Sequence, residues 1–268
     1  MTKTILITGA TDGIGLEAAK ILVEQGHHVL LHGRNRERLS QLEGMLADIA
    51  GSGSYESYLA DLSRMDEVEK LANQIIAKHD TLDVLINNAG VLKTASPITP
   101  EGLDVRFVVN TFAPYLLTQR LLPLMAQTGR VVNLSSAAQS PVNLEAMAGG
   151  IQLQDMDAYA QSKLAITMWS RHMALSLGDK GPMVVAVNPG SLLATKMVKK
   201  GFNIDGKDVG IGADILVRAA LSDEFSTASG QYFDNDSGQF APPHADGLDQ
   251  RKCLEVVKAL EVQLKQLA

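Results

Sequence analysis

The sequence predicts an α/β protein: a single doubly wound domain, with a seven-stranded parallel sheet and helices on both faces. Three observations predict it. Short apolar, β-branched runs alternate with helix-like apolar spacing along most of the 268 residues, as in successive right-handed βαβ units. No Pro/Gly/Ser-rich linker, low-complexity tract or internal repeat divides the chain, so residues 1–268 read as one unit able to bury a substantial core. A glycine-rich turn stands between the first strand pattern and the first helical one, where such sheets carry their ligands.

In chain order, Thr4-Ile5-Leu6-Ile7-Thr8 is continuously apolar, as strands covered on both faces are. It runs into Gly9-Ala10-Thr11-Asp12-Gly13-Ile14-Gly15 and then a helical pattern from Leu16 to Gln25. That order aims backbone N–H groups and a helix N-terminus at a pyrophosphate. The glycine spacing is G-x-x-x-G-x-G, which differs from the general dinucleotide fingerprint. A second strand near 28–32 ends in Gly33-Arg34-Asn35, with no carboxylate to hold the ribose hydroxyls of NAD. A planar guanidinium such as Arg34 suits adenine stacking and a 2′-phosphate, which favours NADP(H) over NAD(H). Arg34 also fits the start of a basic surface helix with Arg36 and Arg38, and Asp12 would repel a phosphate placed close to it. Further strands are expected near 55–60, 82–87, 130–135, 183–188 and 230–234.

Between the last two of the central strands lies Asp157-Ala158-Tyr159-Ala160-Gln161-Ser162-Lys163, beginning with an N-cap-type aspartate. On a helix, residues four apart share one face. A lysine beside a tyrosine favours the phenolate and lowers the phenol's pKa from about 10 toward working pH. Tyr159 is therefore a candidate general acid–base.

These motifs resemble the short-chain dehydrogenase/reductase family, and others follow in that family's order across essentially the whole chain. The resemblance implies a Rossmann-type NAD(P)-binding domain. It implies that Gly9, Thr11, Asp12, Gly13, Ile14 and Gly15 form the cofactor turn. Asp61 and Leu62 match the pair at adenine, after Gly33 and Arg34. Asn87-Asn88-Ala89-Gly90 is similar to the fourth-strand motif, and Asn110 to the helix asparagine of the catalytic set, which interrupts its helix and holds a water. Val131-Val132-Asn133-Leu134-Ser135-Ser136 resembles the serine strand. Alternation sends Ser135 and Ser136 to opposite faces, and the family pattern selects Ser136. Tyr159 and Lys163 would also contact the cofactor, with Pro189, Gly190 and Thr195 at the nicotinamide amide. Thr195 falls one position later than the pattern expects.

The 23 positions from Ser136 to Tyr159 exceed what most short members show. That insertion, with Ser229-Gly230-Gln231-Tyr232-Phe233, resembles the retinol-dehydrogenase-like and protochlorophyllide-reductase-like branch, which favours NADP(H) and apolar substrates. The branch's N-terminal membrane anchor has no counterpart before Thr4, which argues against a retinoid. Two segments are expected to roof the site, 137–156 and 191–206. Their apolar members are Val142, Leu144, Met147, Ile151, Leu153 and Met156, then Leu192, Leu193, Met197, Val198, Phe202 and Ile204. Glycines flanking the last stretch would let it hinge.

Composition excludes other classes. A net charge of −6 with no dense basic cluster gives no nucleic-acid footprint. Lys196, Lys199 and Lys200 read as a solvated helix face. One cysteine, Cys253, forbids an internal disulfide and fits a reducing compartment. The immediate strand after Met1 leaves no room for a signal peptide, and no apolar run of spanning length is present, so neither membrane partner nor export is expected. The cytoplasm is the expected location. The six histidines (27, 28, 32, 79, 172 and 244) lack metal-ligand spacing and are expected at the surface or strand edges, with no metal. The expected function is an oxidoreductase interconverting an alcohol and a carbonyl of a small-molecule substrate. A cofactor-binding sensor or scaffold, and a carbon–carbon double-bond reductase, are the competing readings. Relatives imply a homodimer or homotetramer, paired through the helices carrying Asn110 and Tyr159.

Overall fold

A computed structural model describes residues 1–49 and 53–267, the side chain of Phe202 excepted. The expected strands form as β1 (Thr4–Ile7), β2 (His28–Gly33), β3 (Ser54–Leu59), β4 (Val84–Asn87), β5 (Arg130–Leu134), β6 (Met183–Asn188) and β7 (Tyr232–Asp234). They lie parallel in the order β3-β2-β1-β4-β5-β6-β7. Among the described residues the sheet has eight strands rather than seven, because β8 (Gln239–Phe240) turns back antiparallel on β7. Two residues are too few for any hydrophobic period to reveal. The turn forms because Gly238 takes φ +70°, and Phe240 anchors it by packing edge-on against Phe225 and Phe233, with ring centroids 5.2 and 5.1 Å away.

The connections carry α1 (Gly13–Glu24), α2 (Arg36–Ala47), α3 (Met65–Lys78), α4 (Val105–Phe107), α5 (Ala113–Leu121), α6 (Leu144–Met147), α7 (Asp155–Leu177), α8 (Lys196–Phe202), α9 (Gly210–Leu221) and α10 (Gln250–Leu267). Strand alternation divides the core in two. Ile5, Ile7, Val29, Leu31 and Ile86 join the layer under α1, α2 and α9. Leu6, Leu30, Leu85, Val131 and Val184 join the layer under α3, α5, α7 and α10. Successive strands step outward in opposite directions from β1 and β4, which opens a crevice beyond their C-terminal ends.

Two packing features bear on the site. Arg106, only 1% exposed, bonds Asp104 through Nε (2.8 Å) and Nη2 (2.6 Å), and reaches Asp155 at the start of α7 through Nη1. In addition, α10 lays Cys253, Val256, Val257 and Leu260 into the layer that holds Tyr115 of α5 and Trp169 of α7. The Tyr115 hydroxyl donates to Glu261 at 2.9 Å. Pairing of two copies through α5 and α7, as the resemblance implies, meets a surface already partly covered by α10. No helix among the described residues is long and apolar enough to cross a membrane.

Candidate active site

The glycine turn is shaped by close approach. Gly9 and Gly13 have φ +68° and +53°, values that L side chains rarely adopt. A Cβ at Gly15 would lie 2.3 Å from the Gly9 carbonyl oxygen and 2.5 Å from Asn88 Nδ2. Asn88 Nδ2 donates to the Thr8 carbonyl at 2.8 Å, while Thr8 Oγ1 accepts from the amides of Asn88 and Ala89 at 3.0 and 3.1 Å. The ends of β1 and β4 are thereby locked together. Asp12 precedes α1 without its side chain capping the helix, so the amides of the first turn remain available to an anion.

His32 supports the same turn from below. It is 2% exposed, not at the surface as expected. Its Nδ1 accepts from the Gly9 amide at 3.2 Å and its Nε2 faces the Ala60 carbonyl at 3.0 Å, which assigns the proton to Nε2. Burial pushes its pKa down to about 4, so the ring is neutral. No spacing rule marks such a residue; only its place two positions before Arg34 hints at it.

A cavity of about 690 Å³ runs along the crevice. At one end are Gly33, Arg34, Arg38, Asp61 and Leu62; the middle passes Gly9, Thr11, Asp12, Gly13 and Ile14, then Asn88, Ala89 and Gly90. Ser136, Tyr159 and Lys163 complete its lining together with Pro189, Gly190 and Thr195, the last packed against Gly13 of the turn. Two of the expected residues stand outside its lining. Gly15 lies beneath the turn, where it admits the chain crossing. Asn110 is 1% exposed, its Oδ1 accepting from the Val91 amide (2.8 Å) and its Nδ2 donating to the Val91 carbonyl (3.0 Å) and Ser162 Oγ (2.9 Å). It sits in a π-helical turn, Val108–Phe112, so the helix is interrupted there.

Asp12 is not a bare charge. Lys196 Nζ lies 2.6 Å and Arg38 Nη1 3.4 Å from its carboxylate. Lys196, expected on a solvated face, thus borders the cavity with Arg38.

At the far end, α7 begins at Asp155 with Gln154 as its N-cap, so Asp157 sits inside the first turn rather than capping it. Lys163 Nζ donates to the Leu134 carbonyl at 2.8 Å and lies 5.7 Å from the centroid of the Tyr159 ring. The amine is over the ring and not at the hydroxyl. The lowered phenol expected from Lys163 is therefore not what this geometry gives: burial raises the Tyr159 pKa, and only a hydrogen bond from Ser136 pulls it down. Burial also lowers the Lys163 amine to about 8. Ser135 Oγ is turned to α7, against the Lys163 carbonyl (3.1 Å) and Thr167 Oγ1 (2.6 Å). Ser136 is held by contacts the sequence did not suggest: its carbonyl accepts from the Tyr232 hydroxyl (3.1 Å) and Gln139 Nε2 (2.8 Å). Tyr232 was legible only as part of a branch motif.

The roof differs from expectation in its first half. Of 137–156, only Ala138 and Met156 line the cavity. Met147 is fully buried, Val142, Leu144 and Leu153 pack on the core, and Ile151 is 39% exposed. The short α6 folds the segment onto α10. From 191–206, Leu192, Leu193, Met197 and Val198 line the cavity, whereas Ile204 points outward; the Phe202 side chain lies outside the described residues. Paired backbone bonds, Ala194 N–H to Lys207 O at 2.6 Å and Lys207 N–H to Leu192 O at 2.7 Å, pin both ends of this segment. Remote from the cavity, the fold also gathers His28, Glu56 and His79, a constellation that spacing along the chain concealed.

The family profile for short chain dehydrogenases matches residues 3–204. Human retinol dehydrogenase 13 is 29% identical over 91% of this chain and 80% of its own length. Human polyprenol dehydrogenase is 30% identical over 87% and 77%. Among solved structures, landomycin C-6 ketoreductase LanV with bound NADP and rabelomycin superposes with a TM-score of 0.69, at 27% identity, over 88% of this chain and 95% of its own.

Proposed function

The chain belongs to the short-chain dehydrogenase family and is an oxidoreductase; on that premise, we propose that it interconverts an alcohol and a ketone or aldehyde with NADP(H), on an apolar substrate. The observation that carries the proposal is one cavity with a built anion cradle at its middle and Ser136, Tyr159 and Lys163 converging at its end.

The cradle fits a dinucleotide. Side chains are missing where a pyrophosphate would approach, and free amides of α1 face that place. When bound, NADP(H) would supply or accept the hydride. The chain's own residues handle the oxygen and its proton. Ser136 donates to the substrate oxygen, and Tyr159 holds the proton to be given to it. Burial raises the Tyr159 pKa, so the phenol carries the proton that a carbonyl oxygen would take up on reduction. Asn110 fixes the Val91 peptide and Ser162, keeping α7 in register with the β4 loop.

Arg34 and Arg38 at the β2 end support NADP(H) over NAD(H), and the Lys196 contact offsets the charge of Asp12. In Arg34→Ala, the preference for NADPH over NADH in equilibrium binding should shrink by about ten- to a hundredfold, the worth of one charge-assisted contact. Equal affinities for the two cofactors in the native protein would remove this assignment.

Substrate class follows from the walls near Tyr159, where Val91, Leu92, Met156, Leu192 and Met197 present apolar surface. The names of retinol and polyprenol dehydrogenases support the same class. Along a homologous series of ketones or aldehydes, kcat/KM should climb, since each methylene buried adds about 0.8 kcal/mol. A flat series, or a polyol as best substrate, would refute the apolar pocket and leave the catalytic assignment standing. A panel of carbonyls and alcohols, screened with both cofactors by absorbance, tests the reaction itself. The cytoplasm remains the proposed compartment, supported by a single cysteine, Cys253, which fits a reducing environment.

A further inference from the structure

On the β3 edge of the sheet, away from the strand ends that line the cavity, three elements converge on one small volume. His28 opens β2, Glu56 lies within β3, and His79 follows the last turn of α3. His28 stands across from Ser54 in the parallel register, and Glu56, two positions on, shares the Ser54 face. His28 Nε2 is 3.5 Å from Glu56 Oε1, and His79 Nε2 is 3.8 Å from Glu56 Oε2. One donor atom from each of the three lies within 4.8 Å of the others. In a tetrahedral site with bonds of about 2.0–2.1 Å, donor atoms stand about 3.3 Å apart. The observed separations need only small side-chain rotations to reach that.

The surroundings orient the donors as outer partners of metal ligands do. Ser54 Oγ bonds His28 Nδ1 at 2.7 Å, which leaves Nε2 turned to the carboxylate. The Tyr58 hydroxyl donates to Glu56 Oε2 at 3.0 Å, holding the carboxylate, and lies 2.9 Å from His79 Nε2, a contact that an incoming ion would have to displace. Side-chain exposures of 23%, 35% and 12% for His28, Glu56 and His79 shield the group yet leave it reachable from solvent. Lys78 Nζ lies 3.4 Å from Glu56, but that side chain is 61% exposed and free to swing away. Two imidazoles and one carboxylate select borderline divalent metals over calcium or magnesium, which prefer oxygen.

We propose that His28, Glu56 and His79 bind a divalent transition-metal ion of the zinc class, with water as the fourth ligand. The ion would tie the edge strand β3 to β2 and α3, a staple far from the hydride chemistry and independent of the function proposed above.

The test uses the full-length, untagged protein, stripped with a chelator and titrated with cobalt(II) alone, then with zinc in competition. One cobalt per chain should appear with the visible absorption of a tetrahedral site, and zinc should displace it. Zinc at a hundredfold above its Kd should raise Tm by roughly 5–10 °C. His28→Ala and His79→Ala should each abolish the absorption band and the Tm rise, while retained NADPH binding shows that they are folded. Glu56→Gln, which keeps the shape, should weaken cobalt binding at least tenfold. Absence of the band in the native protein, or equal metal affinity in the histidine variants, overturns the site.

Discussion

Replacing Tyr159 with Phe is expected to lower turnover by about 10²–10⁴, the usual worth of a positioned general acid, with NADPH affinity nearly unchanged. The argument is geometric first. Tyr159 and Lys163 lie on the one face of α7 that lines the cavity, and Ser136 at the end of β5 meets the phenol there. Phe keeps the ring, and with it the packing and the contact beneath the Lys163 amine, and loses only the hydroxyl. The loss should therefore fall on kcat, since the proton is wanted at the oxygen only as the carbonyl is reduced. Ser136→Ala gives a useful contrast. It removes a donor to the substrate oxygen and also the one group that pulls the phenol's pKa downward. Its pH–rate profile should shift upward relative to native, whereas the profile of Tyr159→Phe should lose its dependence on that group. A Phe variant turning over at near native rate would remove Tyr159 from the chemistry altogether.

What the sequence disclosed follows the range of the interactions involved. The central strands were legible because burial on both faces leaves unbroken apolar runs, and Gly9, Gly13 and Gly15 because positive φ and close packing admit no other residue. The pair Tyr159/Lys163 was legible because a helix fixes its spacing. Interactions between distant segments left no such trace. His32 carries the Gly9 amide from 23 positions away, and Tyr232 holds Ser136 from 96. Neither partner has a pattern of its own. Hydrophobicity alone likewise could not tell a roof from a core: Met147 is as apolar as Met156, yet the first is swallowed by the core and the second faces the cavity. The Lys196 ammonium was read as solvated because nothing local shows that α8 returns over α1 to meet Asp12. The phenol's pKa was misjudged for a similar reason. Spacing put the lysine nearby, but the Leu134 carbonyl decides where its amine points.

Loss of Arg106, a residue that no sequence pattern marks, should cost the fold heavily. Its guanidinium is 1% exposed and pairs with Asp104, itself almost completely buried, while also reaching the first residue of α7. Arg106→Met preserves much of the volume but strands the Asp104 carboxylate in a dry site. Breaking a buried pair from one side destabilises by about 3–5 kcal/mol, far more than the pair itself contributes. At about 2–4 °C of Tm per kcal/mol for a chain of this size, the melting temperature should fall by roughly 6–20 °C. The double variant Asp104→Asn/Arg106→Met should recover a large part of that loss, because no uncompensated charge then remains. Asp155→Ala should cost no more than about 1 kcal/mol, since its carboxylate is 45% exposed and screened by water. Equal losses in all three would mean that the ion pair is not the source. The consequence for catalysis comes through α7: Asp155 stands one turn before Tyr159, so Arg106 fixes the end of the helix that presents the phenol. Turnover of Arg106→Met, measured well below its Tm, should fall through a weaker kcat at unchanged cofactor affinity, as expected when the phenol is misplaced and the glycine cradle is not.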